Sequence, residues 1–291
     1  MNDRPASPLD DGERDHDLML CWGTVNASTM LELIDAAAIG AYGSISVSPR
    51  LYAATLAGGV SNETLRSALS AQNIRVAVIE PLLNGLPGAH TPDSAPPEHR
   101  TLYEFTEDYC YAMAESVGAE TISLSHFLGS PVPVSEMIDV IGPIVARARE
   151  RGFAICVEFI PDTGIDSLAT ARQIYDAIDD RDFGVMFDAW HFVRSGGTLE
   201  QLVGLPPGMI SIIQLCDRIE PEPGAAYVPM AGRLLPGKGD LPLVEWTSRL
   251  LADHPDAVLG VEVFSGDLQA MPAAEAALLA AVATREVLSH V

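Results

Sequence analysis

The sequence predicts an α/β fold in which eight parallel strands, each followed by a helix, close into a single (β/α)8 barrel. Short apolar runs alternate with segments whose apolar residues recur at helical spacing, and this alternation repeats eight times. The length of 291 residues is ordinary for one such barrel. A doubly wound open sheet is the alternative, but it usually has fewer strands and a Gly-rich first turn, which this sequence lacks.

Each predicted strand is an apolar run, and each predicted helix carries an apolar stripe. The strands are expected at residues 17–22, 44–48, 74–80, 120–127, 153–159, 183–188, 210–217 and 257–264. The helices are expected at residues 29–41, 62–72, 101–117, 133–151, 167–179, 198–204, 243–253 and 272–289. Two long loops interrupt the pattern. One is rich in Pro and Gly at residues 84–100, and the other follows the seventh strand and ends in "LPGKGDLP".

The domain organisation follows from this pattern. Residues 17–291 are expected to form the barrel, and residues 1–16 a flexible polar tail. The tail lacks the basic start and apolar core of a signal peptide, and no apolar run approaches the roughly 18 residues of a membrane span. The four cysteines lie far apart and are interpreted as reduced thiols. Together these features predict a cytoplasmic protein.

Polar residues recur at the carboxyl ends of the last four predicted strands, where the active site of such a barrel forms. Each is embedded in an apolar run, and the four are Glu158, Asp188, Gln214 and Glu262. Three carboxylates around one point would repel each other unless one were protonated or a cation lay between them. Oxygen donors suit Mn²⁺ or Mg²⁺, with Co²⁺, Zn²⁺ and Fe²⁺ as alternatives. The sequence therefore predicts one divalent metal ion held by these four residues.

Other polar or aromatic residues are expected around the same pocket. His191 is predicted in a loop above the barrel rim, where it would contact a substrate oxygen. Glu80 and His126 lie at the ends of the third and fourth strands and are candidate pocket residues. Trp22, at the end of the first strand, is either a stacking wall or a core residue.

The loop "RLLPGKGD" places two cations, Arg233 and Lys238, near the predicted barrel mouth. They could receive a substrate carboxylate or phosphate, or they could simply stabilise the loop. Cations are scarce in this chain, which has 17 Lys and Arg against 40 Asp and Glu and a net charge of -23. Such a surface disfavours nucleic acid and anionic membranes as partners, and leaves a small-molecule substrate.

The quoted motifs resemble the xylose isomerase-like TIM barrels, and more narrowly the sugar phosphate isomerase/epimerase superfamily. The resemblance rests on "VEF" with Glu158, "DAWHFVRSGG" with Asp188 and His191, "IIQLCD" with Gln214, "LPGKGDLP", and "VEVF" with Glu262. It implies one divalent metal on Glu158, Asp188, Gln214 and Glu262. It further implies that Glu158 and Glu262 act as an acid/base pair that moves protons next to a substrate carbonyl, while His191 holds a substrate oxygen. A homodimer or homotetramer is plausible for such a protein.

Departures from the family pattern keep alternatives open. Gln214 stands where many epimerases have His, and Phe159 stands where many have Pro after the strand-five Glu. Gln214 and the "PGKGDLP" loop resemble members that are dehydroshikimate dehydratases, so elimination of water is the alternative to isomerisation. A non-catalytic or accessory barrel subunit is a third possibility. The endonuclease IV type of the same fold is disfavoured, because its zinc cluster needs several His and this chain has only seven in all.

Overall fold

In the computed structural model, which describes residues 18–220 and 232–291, eight parallel strands form a closed barrel in the order β1 to β8. The strands are β1 (Met19–Leu20), β2 (Ser44–Val47), β3 (Arg75–Leu82), β4 (Thr121–Ser125), β5 (Ala154–Glu158), β6 (Phe183–Asp188), β7 (Ile210–Leu215) and β8 (Val258–Val261). The barrel closes because β1 pairs in parallel with both β2 and β8. This confirms the predicted fold class, while the predicted tail at residues 1–16 lies outside the described residues.

Helices pack around the barrel between successive strands. They are α1 (Met30–Ile39), α2 (Pro49–Ala57), α3 (Asn62–Gln72), α4 (Glu107–Val117), α5 (Val134–Glu150), α6 (Leu168–Ile178), α7 (Ala189–Arg194), α8 (Leu199–Leu202), α9 (Leu243–Asp253), α10 (Gly266–Gln269) and α11 (Ala273–Leu288). Within residues 18–220 and 232–291, no helix combines the length and apolarity needed to cross a membrane.

The predicted secondary structure needs correction at three places. Helix α2 was missed, although Ser48 caps it by accepting a hydrogen bond from the Leu51 N–H and Pro49 begins it. The predicted helix at residues 101–117 is a 3-10 turn at Arg100–Tyr103 followed by α4, which Thr106 caps. His191 lies in the short helix α7, which begins directly after β6, and therefore not in a loop.

The apolar core of the described residues has three clusters. A small one lies along the strands and consists of Met19, Cys21, Ala77, Val78, Cys156, Met186 and Ile212. A much larger one packs the helices against the sheet, and a third joins Leu83, Ala95 and Tyr103. The buried Glu80, Glu158, Asp188, Gln214 and Glu262 lie at or near the carboxyl ends of strands, so the core supports a polar layer there.

Candidate active site

The predicted polar residues converge at the carboxyl end of the barrel. Glu158 and Asp188 are the last residues of β5 and β6, Gln214 lies in β7, and Glu262 directly follows β8. The strand register pairs Asp188 with Gln214. All four side chains are buried, and Glu80 from β3 joins them. The structure therefore brings four carboxylates and one amide together.

On one side of this group, Glu158 is held by two neighbours. Ser125 Oγ donates to Glu158 Oε2 at 2.7 Å, and His191 Nε2 lies 3.4 Å from Glu158 Oε1. The same His191 nitrogen is 3.6 Å from Asp188 Oδ2. Asp188 Oδ1 accepts from the Trp190 N–H at 2.7 Å and so caps α7, which places His191 one turn further on.

Arg233 links Asp188 to the opposite side of the group. Its Nη1 lies 2.8 Å from Asp188 Oδ2 and 3.0 Å from Glu262 Oε2, and its side chain is 1% exposed. Burial opposes the charge of both Asp188 and Arg233. Even so, the facing charges lower the pKa of Asp188 and raise that of Arg233. The guanidinium expected to receive a substrate anion is thus already paired with two protein carboxylates.

A carboxyl pair forms the other side of the group. Gln214 Nε2 donates to Glu80 Oε1 and Oε2 at 3.1 and 3.2 Å, and lies 3.5 Å from Glu262 Oε1. Carboxyl oxygens of Glu80 and Glu262 lie within 4.8 Å of each other. Burial and then Glu262 raise the pKa of Glu80 well above its usual range, and burial raises the pKa of Glu262 to about 7. The pair therefore retains a proton near neutral pH.

A cavity of about 1010 Å³, counted to its open mouth, lies directly above these residues. Its polar lining consists of Ser48, Arg50, Glu80, His99, Ser125, Glu158, His191, Arg233 and Glu262. Its apolar lining consists of Trp22, Pro49, Pro81, Leu83, Leu102, Phe105, Phe127, Ile160, Trp190 and Phe264. Asp188 and Gln214 are fully buried beneath it. Of the residues expected to contact substrate, Trp22, Glu80, His191 and Arg233 thus reach the cavity.

Two predicted pocket residues do not reach it. His126 is fully buried, and its Nδ1 accepts from the Gly164 N–H at 2.8 Å, so it supports a loop. Strand alternation explains this, because the neighbours Ser125 and Phe127 line the cavity instead. Lys238 is on the surface, and its Nζ lies 3.4 Å from Glu286 of α11. Its loop is held elsewhere, because the Asp217 carboxylate accepts from the Gly239 and Leu241 N–H groups.

The sequence analysis missed four polar lining residues, which are Ser48, Arg50, His99 and Ser125. Ser125 pairs in register with Glu158 across β4 and β5, a relation that is apparent only once the strand register is known. Arg50 lies in the first turn of α2, so it was overlooked together with that helix.

The donor set fits a divalent cation. Among the described residues, potential ligand atoms of Glu158, Asp188 and His191 lie within 4.8 Å of one another. A second such group is Cys21, Glu80 and Glu262. Arg233 is one permanent cation against four buried carboxyl groups, and the buried Gln214 Oε1 has no hydrogen-bond partner among the described residues. The site thus has surplus negative charge, and the Gln214 carbonyl oxygen is available as a metal ligand.

Fold and site together define a (β/α)8 barrel with an acidic, metal-competent site at the carboxyl ends of its strands. Residues 33–284 match the model of the xylose isomerase-like TIM barrel family. The chain belongs to this family, which confirms the resemblance drawn from the strand-end motifs.

Two curated relatives, both described as inosose isomerase, match part of the chain. They come from Halalkalibacterium halodurans and Bacillus licheniformis and are 25% and 27% identical over 154 residues. The match covers 52% of this chain and 54% and 55% of the relatives. The chain therefore matches about half the length of these curated relatives.

Solved structures share the fold over nearly the whole chain. The IolI protein with a bound zinc atom has a TM-score of 0.79 at 18% identity, covering 94% of this chain and 98% of that one. D-psicose 3-epimerase in the presence of D-fructose has a TM-score of 0.67 at 14% identity, covering 94% and 99%. The probable 3-DHS dehydratase AsbF from Bacillus anthracis has a TM-score of 0.67 at 15% identity, covering 90% and 98%. At these identities the likeness establishes the fold.

Proposed function

We propose that this protein is a divalent-metal-dependent isomerase or epimerase that moves a proton next to the carbonyl of a small hydroxy-keto compound. The observation that carries the proposal is the convergence of four buried carboxyl groups at the floor of one cavity, with Glu158 and Glu262 both lining it. The inosose isomerase relatives and the fold shared with D-psicose 3-epimerase support the same class of reaction.

Glu158, Asp188, Gln214 and Glu262 would hold the metal, with His191 Nε2 beside the first two. The fold shared with the zinc-containing IolI structure is compatible with a bound divalent metal, and Mn²⁺ or Mg²⁺ suits the oxygen ligands best. When bound, the ion polarises the substrate carbonyl and stabilises the negative charge that develops as the neighbouring carbon loses its proton.

The proton transfers belong to the two glutamates. Glu158 is oriented by Ser125 and His191, so one carboxylate oxygen is fixed while the other faces the imidazole. Glu262 also lines the cavity, so it can accept a proton from a bound substrate and return it. His191 holds a substrate oxygen at the cavity wall, and Arg233 keeps Asp188 and Glu262 in place.

A second candidate is a dehydratase that uses the same residues. The neighbouring carboxyl groups of Glu80 and Glu262 favour it, because a departing hydroxyl needs a proton and both groups line the cavity. The fold shared with the probable 3-DHS dehydratase is compatible with this reaction. Both reactions begin with removal of a proton beside a carbonyl, so the nature of the product distinguishes them.

The test is a screen of Mn²⁺-loaded protein with keto sugars, inosose-type ketones and cyclic hydroxy-keto acids in D₂O. Isomerisation or epimerisation gives deuterium incorporation next to the carbonyl, whereas dehydration gives a product lighter by one water. We expect Glu158→Gln and Glu262→Gln to abolish either signal. The exposed Glu120→Gln, whose side chain pairs only with Arg75 on the surface, serves as the matched control. Deuterium incorporation that persists in both site variants would reject the roles assigned to Glu158 and Glu262. A protein that binds metal but gives neither deuterium incorporation nor loss of water would support a non-catalytic barrel.

A further inference from the structure

The cavity wall contains a second layer of residues two positions beyond the polar ones. The pairs are Ser125 and Phe127, Glu158 and Ile160, Asp188 and Trp190, and Glu262 and Phe264. Phe127 lies in a turn just after β4, Trp190 lies in the first turn of α7, and Ile160 and Phe264 follow β5 and β8 outside the strands. In every pair the second member is apolar and lines the cavity.

These four residues and Trp22 form what we call the apolar collar of the cavity. The collar is held in place by ring contacts. Trp22 and Phe264 meet edge to face with centroids 5.6 Å apart, and the Arg233 guanidinium carbon lies 5.6 Å from the Trp190 ring and 5.2 Å from the Phe264 ring. The collar thus offers a ligand an aromatic and aliphatic surface, on which the Trp22 Nε1 is a buried donor without a partner among the described residues.

This layering constrains the substrate, because hydroxyl groups are costly to bury without partners. A linear polyol that filled the cavity would place some of its hydroxyls against the ring faces of the collar, where they would lose hydrogen bonds with water. A ligand with polar atoms at one end and an apolar body would match both layers.

We propose that the substrate is a hydroxy-ketone joined to a hydrophobic, ring-sized body, with the hydroxy-ketone at the carboxylate floor and the body inside the apolar collar. The position of the hydroxy-ketone rests on the proposed function, whereas the position of the body rests on the collar alone. Phe127 and Ile160 follow β4 and β5 and are partly exposed, so they are suitable sites at which to test it.

Hydroxyacetone and 2-hydroxyacetophenone are suitable probes, because they share one hydroxy-ketone group and differ in carrying a methyl or a phenyl substituent. Their binding to the Mn²⁺-loaded full-length protein is measured by titration calorimetry, with D-fructose as the polyol comparison. Burial of the phenyl ring should make 2-hydroxyacetophenone bind about tenfold or more tightly than hydroxyacetone. Equal affinities, or tighter binding of D-fructose than of the aryl ketone, would overturn the proposal.

Variants distinguish the collar from general hydrophobic binding. Phe127→Ala and Ile160→Ala should each reduce the aryl preference by about threefold or more, since each removes apolar surface from the collar. Leu128→Ala is the matched control, because Leu128 follows Phe127 but is 37% exposed and does not line the cavity. If a folded collar variant keeps the same preference for 2-hydroxyacetophenone over hydroxyacetone, the phenyl ring binds elsewhere and the collar is rejected.

Deuterium exchange at the CH₂ group of the same probes separates this proposal from the proposed function. Selective aryl binding without exchange in D₂O would retain the collar and reject proton transfer by the floor residues. Exchange with no preference for the aryl ketone would retain proton transfer and reject the collar.

Discussion

At the residue scale, most of the polar cavity floor could be predicted because carboxylates interrupt apolar strands. Glu80, Glu158, Asp188, Gln214 and Glu262 all follow this pattern, and all are buried together. Their partners are what the sequence could not show. The hydrogen bond from Ser125 to Glu158 spans 33 residues and depends on the register between β4 and β5.

This hydrogen bond leads to a prediction about stability. Ser125→Ala should lower the free energy of unfolding by about 1–3 kcal/mol, because it removes a donor from a buried carboxylate. Ser123→Ala, two residues earlier in β4, is the matched control. The Ser123 hydroxyl is buried without a partner among the described residues, so its loss should be close to neutral. Urea unfolding of both variants in EDTA provides the comparison, and equal losses would contradict a special role for Ser125.

The pairing of Arg233 with Asp188 and Glu262 leads to a second prediction. Arg233→Met leaves two buried carboxylates without their shared cation, so the free energy of unfolding of the metal-free protein should fall by about 3–5 kcal/mol. Arg181→Met is the control, because that side chain is 89% exposed and lies 3.5 Å from Asp182. Its loss should cost less than about 1 kcal/mol. Chemical denaturation that shows similar losses in the two variants would mean that the buried ion pair contributes little to stability.

Two residues predicted to line the pocket, His126 and Lys238, do not reach it. His126 was placed in the pocket because it ends an apolar strand, yet alternation turns it away while Ser125 and Phe127 face the cavity. Lys238 was placed at the mouth from its nearness in sequence to Arg233. The turn between the two residues separates them, since Arg233 is buried and Lys238 lies on the surface beside Glu286.

At the scale of elements, the strand–helix alternation predicted the barrel, whereas the short helices that shape its mouth were missed. Both α2 and α7 begin directly after strands: Ser48 follows β2 and caps α2, whereas Asp188 both ends β6 and caps α7. Asp188 illustrates the difficulty, because it is at once the last residue of β6, the cap of α7 and a candidate metal ligand. A periodicity argument assigns such a residue to one element only, and it therefore placed His191 in a loop.

The loop after β7 shows how elements position the site over long distances. Asp217 accepts from the N–H groups of Arg218, Gly239 and Leu241, and its backbone pairs with Leu234. These bonds fix the chain on the carboxyl side of Arg233, directly beside the buried guanidinium. The "LPGKGD" motif that the sequence suggested as an anion site is thus an anchor for Arg233.

At the scale of the whole molecule, the barrel concentrates negative charge at one point of a chain whose net charge is already -23. The strand ends that meet there come from residues 80 to 262, so only closure of the barrel brings their carboxyl groups together. The closed barrel buries these groups, and burial raises the pKa values of Glu80 and Glu262. The pH dependence of stability should therefore report on the site.

We predict that the metal-free protein loses stability as the pH rises from 6.5 to 8. A carboxyl group whose pKa is raised on folding stays protonated in the folded chain while it ionises in the unfolded chain. Each such group then lowers the free energy of unfolding by about 1.4 kcal/mol per pH unit between its unfolded and folded pKa values. Glu262, with its pKa raised to about 7, contributes up to that pH, and Glu80, whose pKa burial raises well above its usual range, acts in the same direction. His126 and His254, whose pKa values burial lowers, act in the opposite direction, but mainly below about pH 6.5.

Calorimetric melting in EDTA across this range measures the slope, and two comparisons assign it to the site. Glu80→Gln removes one of the two raised carboxyls and should flatten the slope, whereas the exposed Glu120→Gln should leave it unchanged. Saturating Mn²⁺ should raise the melting temperature more at pH 8 than at pH 6.5, because a cation binds ionised carboxylates and competes with their protons. A melting temperature that rises with pH in EDTA would show that these carboxyl groups do not share a proton. An equal shift by Mn²⁺ at both pH values would show that they do not bind the ion.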